Sequence, residues 1–332
     1  MLGTFIATFL YCLLVLRTIR RGDEGVFVPH LSVTLGLVFA LASLWMLIFF
    51  IHHVAVSIQA EEVIARVGID LDQTMDRLFP ESPDVELTIS SPSGAVGIAF
   101  RDGDNDSVTI AAARDGYVQL IDVEQLLKLA VKANVVLRLE RRPGHYAVKG
   151  SCLVTASHAD CMSPELVAQV QRAFVIGNQR SAVQDIEFAV LQLVEIAVRA
   201  LSPGINDPFT AIACVDRLGS ALARLAGRTM PPACRLDSGG TVRVIVDVAD
   251  FGGIADAALN QLRQYSHDNL DVTLRLLETI TAIAGAVDRE TDRAVLRRHA
   301  DMIFRATEAT FREIEDQRAV TGRYQAAIEP LK

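Results

Sequence analysis

One uncharged segment constrains the fold of this chain more than any other feature. No charged residue lies between Glu24 and Glu61, and residues 31–51 are 21 nearly pure apolar residues, LSVTLGLVFALASLWMLIFFI. A helix rises 1.5 Å per residue, so this segment spans about 31 Å, which is the thickness of the hydrocarbon core of a bilayer. A long helix of a soluble protein normally carries a polar stripe, and this one has none. The sequence therefore predicts a transmembrane helix over residues 31–53.

A second apolar segment lies at the N-terminus. Residues 1–16, MLGTFIATFLYCLLVL, are equally apolar, but a helix over them reaches only about 24 Å before Arg17. A signal peptide begins with basic residues and ends in a small-residue cleavage site. This segment begins apolar and ends in arginines, so we expect an uncleaved helix over residues 1–17 and a transmembrane helical hairpin within residues 1–58. Either this first helix is short, or the chain begins partway through a longer one.

The remainder of the chain has a different composition. The 332 residues are 51% hydrophobic with a net charge of −8, and the first sixty residues supply the hydrophobic excess. The residues after this N-terminal part have the composition of an ordinary soluble protein. Their acidic balance excludes bulk binding of nucleic acid, which requires a basic surface. The predicted architecture is a membrane portion, with the lipid bilayer as partner, joined to an acidic globular portion.

The globular portion has an α+β pattern. An amphipathic run predicts a connecting helix over residues 59–83, short alternating runs predict a small β-rich domain over 84–160, and helical periodicity predicts a mainly helical domain over 161–332. The predicted strands cover residues 85–90, 95–100, 107–112, 116–121, 135–140, 151–156 and 241–248. The predicted helices cover residues 123–133, 164–174, 182–201, 208–227, 254–265, 270–287 and 291–319.

Two short segments of the β-rich region resemble known structures. Residues 116–119 and 142–150 resemble the two halves of a barrel-sandwich hybrid, as in lipoyl-like domains. The Met-Lys-Met-like hairpin of true carriers is absent from the sequence, so a fold alone is implied and no cofactor. Residues 102–106 have the D-x-D-x-D spacing of a calcium loop. Ser107 and Ala113 occupy the positions where an EF-hand needs Gly and Glu, which favours a polar hairpin turn.

The predicted helix over residues 182–201 carries the candidate functional residues. Asp185, Glu195 and Arg199, together with Gln192, lie within about 60° of one another on an otherwise apolar cylinder. Polar groups buried on such a helix must be paired. They form either an acidic binding or relay site, or a structural seam containing a Glu195–Arg199 pair at spacing i,i+4. The full candidate functional or contact surface is Asp185, Glu187, Glu195, Arg199, Ser202, Asn206 and Asp207.

The sequence contains no recognisable catalytic, cofactor-binding or metal-binding constellation. Histidines are scattered without the spacing of metal ligands, and no glycine-rich loop has the pattern that binds phosphates. The five cysteines are an odd number without a C-x-x-C pair. That usage fits a reducing compartment. No catalytic, cofactor or metal residue is predicted.

Several stretches together resemble a bacterial family of predicted integral membrane proteins called domain of unknown function 2254. They are LGTFIATFLYCLLVLRTIR, FVPHLSVTLGLVFALASL, IHHVAVSIQ, GYVQLID, LERRPGHY, DIEFAVLQLVEIAVRALSPGINDPFTAIACVDRLG and LRLLETI, of which SPGINDPFTA is the most specific. The resemblance covers nearly the whole chain. It implies a multi-pass protein of the bacterial inner membrane, with a further transmembrane pair before the position of Met1. It implies no activity.

The orientation in the membrane depends on three observations that disagree. Three arginines within residues 17–30 would place that hairpin in the cytoplasm and the globular portion outside. The cysteine usage favours a cytoplasmic globular portion. In the complete family pattern a basic stretch precedes the first helix, and the resemblance therefore implies a cytoplasmic globular portion as well, which is the orientation we expect.

These observations predict a non-enzymatic, homo-oligomeric membrane protein, with a soluble sensing, gating or scaffolding body and a membrane part that would suit a channel-like protein. Its ligand is not predicted. One alternative is a membrane-tethered hydrolase that uses Glu187, Glu195, Asp207 or His267. Another is a ligand-binding regulator without a pore. A cleft in which the four residues converge would favour the hydrolase, whereas scattered and individually paired side chains would favour the non-enzymatic protein.

Overall fold

The computed structural model describes residues 2–18, 20–22, 25–27, 30–57, 60–80, 107–308 and 310–332. Contacts between Cα atoms divide the chain into two compact units, Met1–Val63 and Ile64–Lys332. The predicted strands over 85–90 and 95–100 and the predicted turn over 102–106 lie outside the described residues. The domain boundaries predicted within the globular portion stay predictions.

The first unit is a helical hairpin. Its elements are α1 (Leu2–Thr18), β1 (Arg20–Gly22), β2 (Gly25–Phe27) and α2 (His30–Ser57). The two short strands pair antiparallel, so that α2 returns against α1. Polar and aromatic residues contribute to the contact: the Thr8 and Ser43 hydroxyls share a 2.9 Å hydrogen bond, and the Tyr11 and Phe39 ring centroids lie 5.4 Å apart. A Cβ on Gly36 would lie 3.6 Å from the Tyr11 ring.

Helix α2 has the length and composition of a membrane span. Its apolar part is His30–Phe50, which has 21 residues. Only 11% of the most apolar window within this part is buried. Within the described residues it is the one helix long and apolar enough to cross a bilayer, because the apolar part of α1, Phe5–Arg17, is shorter. A helical hairpin is therefore present, whereas a pair of membrane spans is not confirmed.

The second unit contains two sheets. Its strands are β3 (Val108–Ala111), β4 (Gly116–Ile121), β5 (Leu137–Leu139), β6 (Tyr146–Ala147), β7 (Cys152–Ala156), β8 (Phe174–Gly177), β9 (Cys234–Leu236) and β10 (Val242–Ile245). A five-stranded sheet has the order β3-β7-β5-β10-β9, in which only β5 and β10 are parallel. A three-stranded antiparallel sheet has the order β6-β4-β8.

Most helices of this unit pack on one another and form a large core of their own. They are α3 (Ala60–Leu78), α4 (Val123–Ala133), α5 (Pro164–Arg172), α6 (Ile186–Ala200), α7 (Pro208–Ala226), α8 (Phe251–Tyr265), α9 (Leu270–Ala284), α10 (Glu290–Glu308) and α11 (Ile314–Ile328). Leu193, Leu222 and Leu276 are fully buried in the helical core. Val118 and Leu126 belong to a second core beneath the sheets.

The predicted α+β class is correct, and several predicted elements need correction. The predicted helix over 291–319 is two helices, because α10 ends at Glu308 and α11 begins at Ile314. Phe311 turns into the helical core between them, and the Glu313 side chain caps α11 by accepting from two backbone amides. Strands β8 and β9 are absent from the predicted elements. Both are short strands at the edges of their sheets.

The segments expected to form a barrel-sandwich do lie side by side. Strand β4 pairs with β6, with Gly116 opposite Ala147. However, α4 separates β4 from β5 along the chain, and β5 pairs in parallel with β10 from the helical region. The surroundings are those of a mixed α+β unit, so the lipoyl-like sandwich expected from the turn sequences is not the observed arrangement.

Candidate functional site

A partly open cleft of about 220 Å³ lies in the second unit, at the N-terminal end of α6. The end of α3, the turn after β5, strand β9 and the loop after β10 converge there. Most of its surface is apolar, with Phe79, Ile121 and Ile186 among the lining residues. Its charged lining residues are Arg77, Arg142, Asp185, Glu187, Arg235 and Asp247. The cleft therefore combines an apolar wall with side chains of both charges.

Asp185 is the N-cap of α6 and is almost fully buried, with 4% of its surface exposed. One carboxylate oxygen accepts from the Phe188 amide at 3.0 Å. The other accepts from Arg180 Nε and Nη2 at 2.9 and 2.7 Å. Gly144 lies against this pair with φ +92°, and a Cβ there would be within 3.0 Å of both partners. The turn after β5 thus packs against the Arg180–Asp185 ion pair beside the cleft.

Glu187 and Arg142 form a second ion pair, in which each side chain is about one-fifth exposed. Arg142 Nη2 donates to Glu187 Oε1 at 2.7 Å, and Arg142 Nε lies 3.9 Å from Asp247 Oδ2. Burial raises the pKa of Glu187, and Arg142 opposes that rise. The single positive charge of Arg142 is therefore shared between two carboxylates.

The remaining two arginines of the cleft bond to backbone carbonyls. Arg77 Nη1 donates to the Val183 carbonyl at 2.9 Å, and Arg235 donates to the Pro232 carbonyl. Burial lowers the pKa of the Arg235 guanidinium. Within the part of the chain that the structure describes, neither arginine makes an ion pair with a carboxylate. These two cations give the cleft the capacity to bind an anion.

Two further side chains position the elements around the cleft. The side-chain Oε1 of Gln184 accepts a hydrogen bond from the Ile121 backbone N–H at 2.9 Å. The side-chain Nε2 of Gln184 donates to the Ile121 carbonyl at 3.3 Å. It thereby ties the end of β4 to the start of α6. His145 Nδ1 accepts from the Arg142 amide at 3.4 Å. Burial, with help from the Arg142 charge, lowers the pKa of His145, which favours the neutral form that accepts this bond.

Of the seven candidate residues, only Asp185 and Glu187 line the cleft. Glu195 and Arg199 lie farther along α6 and form the i,i+4 pair expected of the structural interpretation, at 2.6 Å. Both are about 70% exposed, whereas Asp185 precedes the helix and is buried. The expected common face is therefore not observed: a buried cap and an exposed pair occupy different surroundings.

The last three candidates form the turn between α6 and α7. Ser202 Oγ donates to the Arg199 carbonyl at 2.7 Å, and the Asn206 amide donates to the Ser202 carbonyl at 2.9 Å. Asn206 has φ +49°. Asp207 caps α7 and accepts from the Thr210 hydroxyl at 2.6 Å and its amide at 3.2 Å, which lowers the pKa of Asp207. The turn is held by its own hydrogen bonds.

The four residues of the hydrolase alternative each have a separate partner. Glu187 pairs with Arg142, Glu195 pairs with Arg199, and Asp207 caps α7. His267 Nδ1 lies 2.9 Å from the Gln264 carbonyl. Within the described residues, no group of three or more His, Cys, Asp or Glu side chains could hold a metal ion.

The cleft residues that the sequence does not reveal are the arginines. Arg142 stands out only as part of the R-P-G-H-Y turn, and Arg77 and Arg235 do not stand out at all. Arg180, which does not line the cleft, is the partner of Asp185. The one signal in the sequence is the closeness of Arg180 to Asp185, an acidic helix cap five residues away. Arg235 lies about 50 residues beyond either, so its place beside them depends on the tertiary fold.

Comparison with known proteins adds a family and three relatives. The profile of a family described as "Predicted membrane protein (DUF2254)" matches residues 1–282. Uncharacterized proteins of Mycobacterium bovis and of Mycobacterium tuberculosis strain H37Rv are each 29% identical over 336 residues. The alignment covers all of this chain and 63% of each relative. An uncharacterized protein of M. tuberculosis strain CDC 1551 is 28% identical with the same coverage. No solved structure matches the chain.

Proposed function

Since the chain belongs to the DUF2254 family of predicted membrane proteins, we propose that it is a non-enzymatic sensor of the bacterial inner membrane. Helix α2 holds it in the bilayer, and the unit Ile64–Lys332 is its regulatory body. The observation that carries the membrane part of the proposal is the exposure of α2: only 11% of its most apolar window is buried. A continuous apolar surface of that length belongs in lipid rather than in water.

Charged substitutions in the middle of α2 test the membrane anchor. Leu37 and Leu41 are 60% and 58% exposed, and an arginine at the centre of a span costs about 2.5–3.5 kcal/mol on insertion scales. We expect the double variant Leu37→Arg/Leu41→Arg to leave the membrane fraction in an alkaline carbonate wash, while Leu37→Ile/Leu41→Ile remains there. Retention of the arginine variant at the wild-type level would contradict the anchor.

The individually paired carboxylates support a binding body over a hydrolase. A general acid or base must reach the substrate, and a nucleophile needs an adjacent base. Glu187 is the one hydrolase candidate within the cleft, and its nearest charged neighbour is a cation. A side chain so placed can orient a ligand.

We also propose that the protein is a homo-oligomer whose contact surface is the turn Ser202–Pro208 together with Glu195 and Arg199. Ile205 and Phe209 support this surface, because they are 57% and 81% exposed. We expect Ile205→Ser/Phe209→Ser to reduce the oligomer mass measured by light scattering in detergent. Tyr265→Ser, at another exposed aromatic residue, serves as the matched control. A monomeric wild-type protein would rule out the proposal.

The regulatory body is proposed to face the cytoplasm. Cys161 is exposed, Cys12 and Cys152 are partly exposed, and Cys214 and Cys234 are buried, so a membrane-impermeant maleimide reports mainly on Cys161. We expect labelling in inverted membrane vesicles and none in intact spheroplasts, with Cys161→Ser as the control for site specificity. Labelling in intact spheroplasts would place the body outside.

A further inference from the structure

We propose that the cleft binds a small organic monoanion with an apolar group, whose charge is held by Arg235 and Arg77. This inference deepens the proposed function by naming a ligand class, and it rests on the regulatory body being a binding unit. The geometry that points to it is a cleft with an apolar wall at which two guanidiniums lack carboxylate partners among the described residues.

The carboxylates around the cleft have partners of opposite charge, whereas two of its arginines do not have such partners among the described residues. Asp185 has Arg180 as its partner, and Glu187 and Asp247 share Arg142. Each of the three carboxylates therefore has a cation close to it. Arg77 and Arg235 have only backbone carbonyls as acceptors among the residues that the structure describes. A guanidinium offers five N–H donors in a fork that matches a carboxylate or a phosphate, so most of the donors of these two arginines are available to a ligand.

Arg235 is the better supported of the two anion-binding residues. It lies on β9 opposite Val244 of β10. Its side chain is partly buried, and this burial lowers the pKa of the guanidinium. A charged group removed from water costs free energy unless a counter-charge compensates. A bound anion supplies that counter-charge. Arg77 is exposed at the end of α3 and lines the same cleft, which makes it the second residue proposed to contact the anion.

The size and lining of the cleft define the rest of the ligand. A cavity of about 150 Å³ is large enough for benzene, so one of about 220 Å³ accommodates a benzene-sized group with a charged substituent. The apolar wall, which includes Phe79, Ile186 and Val246, favours such a group by burying its surface. Glu187 and Asp247 would repel additional negative charge on the ligand. We therefore propose a ligand with a single negative charge.

The test is isothermal titration of the full chain in detergent with four probes: benzoate, phenyl phosphate, inorganic phosphate and benzyl alcohol. We expect saturable binding of benzoate with one site per chain. Benzyl alcohol, which lacks the charge, and inorganic phosphate, which lacks the apolar group, should bind at least about tenfold more weakly. Phenyl phosphate should fall between benzoate and these two, because its second charge meets Glu187 and Asp247.

Variants assign the binding to the two arginines. A hydrogen bond to a charged group contributes enough to change affinity by roughly 10- to 100-fold, so Arg235→Gln should weaken benzoate binding by that factor and Arg235→Lys by less. Arg77→Gln, at an exposed position, should weaken binding while keeping the fold, which covers the case in which Arg235→Gln unfolds. Arg199→Gln removes the same charge at the far end of α6 and should leave the affinity unchanged.

Three outcomes would overturn the inference. They are no binding of benzoate or phenyl phosphate, equal affinity for benzoate and inorganic phosphate, and equal loss of affinity in the Arg77 and Arg199 variants. The membrane fractionation of the Leu37→Arg/Leu41→Arg protein is independent of these measurements. Failure of the anchor therefore leaves the binding result intact, and failure of binding leaves the anchor intact.

Discussion

Gly144 lies against the buried ion pair between Arg180 and Asp185, and its substitution tests how far that pair stabilises the fold. A Cβ at Gly144 would enter the space of both partners, whereas one at Gly150 would meet open space. Both glycines have positive φ, so alanine costs about 1–2 kcal/mol of backbone strain at each. We expect Gly144→Ala to reduce the free energy of unfolding by at least about 1 kcal/mol more than Gly150→Ala, measured by urea denaturation. Equal losses of unfolding free energy in the two variants would show that the Arg180–Asp185 pair can move aside without a cost in stability.

Asn206 adopts a left-handed backbone conformation with φ +49°. Glycine adopts that conformation freely and alanine does not. We therefore expect Asn206→Ala to lower the free energy of unfolding by about 1 kcal/mol and Asn206→Gly to leave it nearly unchanged. Asp207→Ala should cost about 1 kcal/mol for the lost cap. Oligomer mass measured on the same samples tests the contact surface, and unchanged mass and stability in both alanine variants would count against a role for the turn.

His299 is fully buried, with Nε2 at 2.8 Å from Asp256 and Nδ1 without a hydrogen-bond partner among the described residues. Burial lowers its pKa below 6.5; Asp256 opposes the shift, whereas Arg298 and Arg263 reinforce it. A histidine whose folded pKa is depressed contributes stability that is fully present above about pH 6.5 and is lost as the pH falls. We expect the melting temperature to fall from about pH 7.5 to about pH 5.5, and to fall less in His299→Gln.

The control for that experiment is His267→Gln, at an exposed histidine. It removes an exposed imidazole and so provides the comparison for the loss of a buried one. His145, whose pKa burial also lowers, contributes in the same direction, so some pH dependence remains in His299→Gln. A pH profile identical in the wild type and His299→Gln would show that this imidazole is not the group being titrated.

At the scale of elements, helices α7 and α9 approach closely at Gly219. A Cβ there would come within 3.0 Å of the Thr279 methyl group, and Thr279 is buried. Forcing extra volume into such a contact costs about 1–3 kcal/mol. We expect Gly219→Ala to be destabilising by this amount in chemical denaturation. Thr279→Ser, which removes the methyl group, should restore most of the loss in the double variant, and additive losses would disprove the contact.

The sequence predicts elements best where local chemistry is unambiguous. The predicted helix over Val123–Ala133 has both boundaries correct, because Asp122 caps one end and Asn134 adopts the left-handed conformation at the other. The break between α10 and α11 is only partly a local feature: Glu313 caps α11, but Phe311 packs in a core formed by distant residues. Strands β8 and β9 escape prediction for the same reason: three or four residues acquire strand character only from their partners.

The candidate site is predictable only in part. Asp185 and Glu187 stand out because they interrupt an apolar helix, and both lie at the cleft. Arg142 and Arg235 are ordinary arginines in the sequence, and their importance comes from the burial that the fold imposes. Helical periodicity also groups Glu195 and Arg199 with Asp185, although Asp185 lies just before the helix and outside its regular geometry.

At the scale of the whole molecule, the large helical core belongs to the second unit. Among the described residues, Ile64 is the first that contributes to it. A protein lacking residues 1–57 is therefore expected to remain in the soluble fraction without detergent and to unfold cooperatively on heating. The full chain treated in the same way provides the comparison. Aggregation of the shortened protein would show that the first unit is needed for the second to fold.

The parallel pair of strands β5 and β10 has a consequence for the order of synthesis. Leu137 pairs with Val244, more than 100 residues later. A ribosome adding about 5–20 residues per second needs roughly 5–20 s to cover that interval. During this time the β5 edge of the sheet lacks its β10 neighbour, and Val246 and Asp247 of the cleft have not yet been made. The nascent chain thus passes through a stage at which the cleft is incomplete, and the lining residues brought together by the fold assemble only after β10 and the loop that follows it have been synthesised.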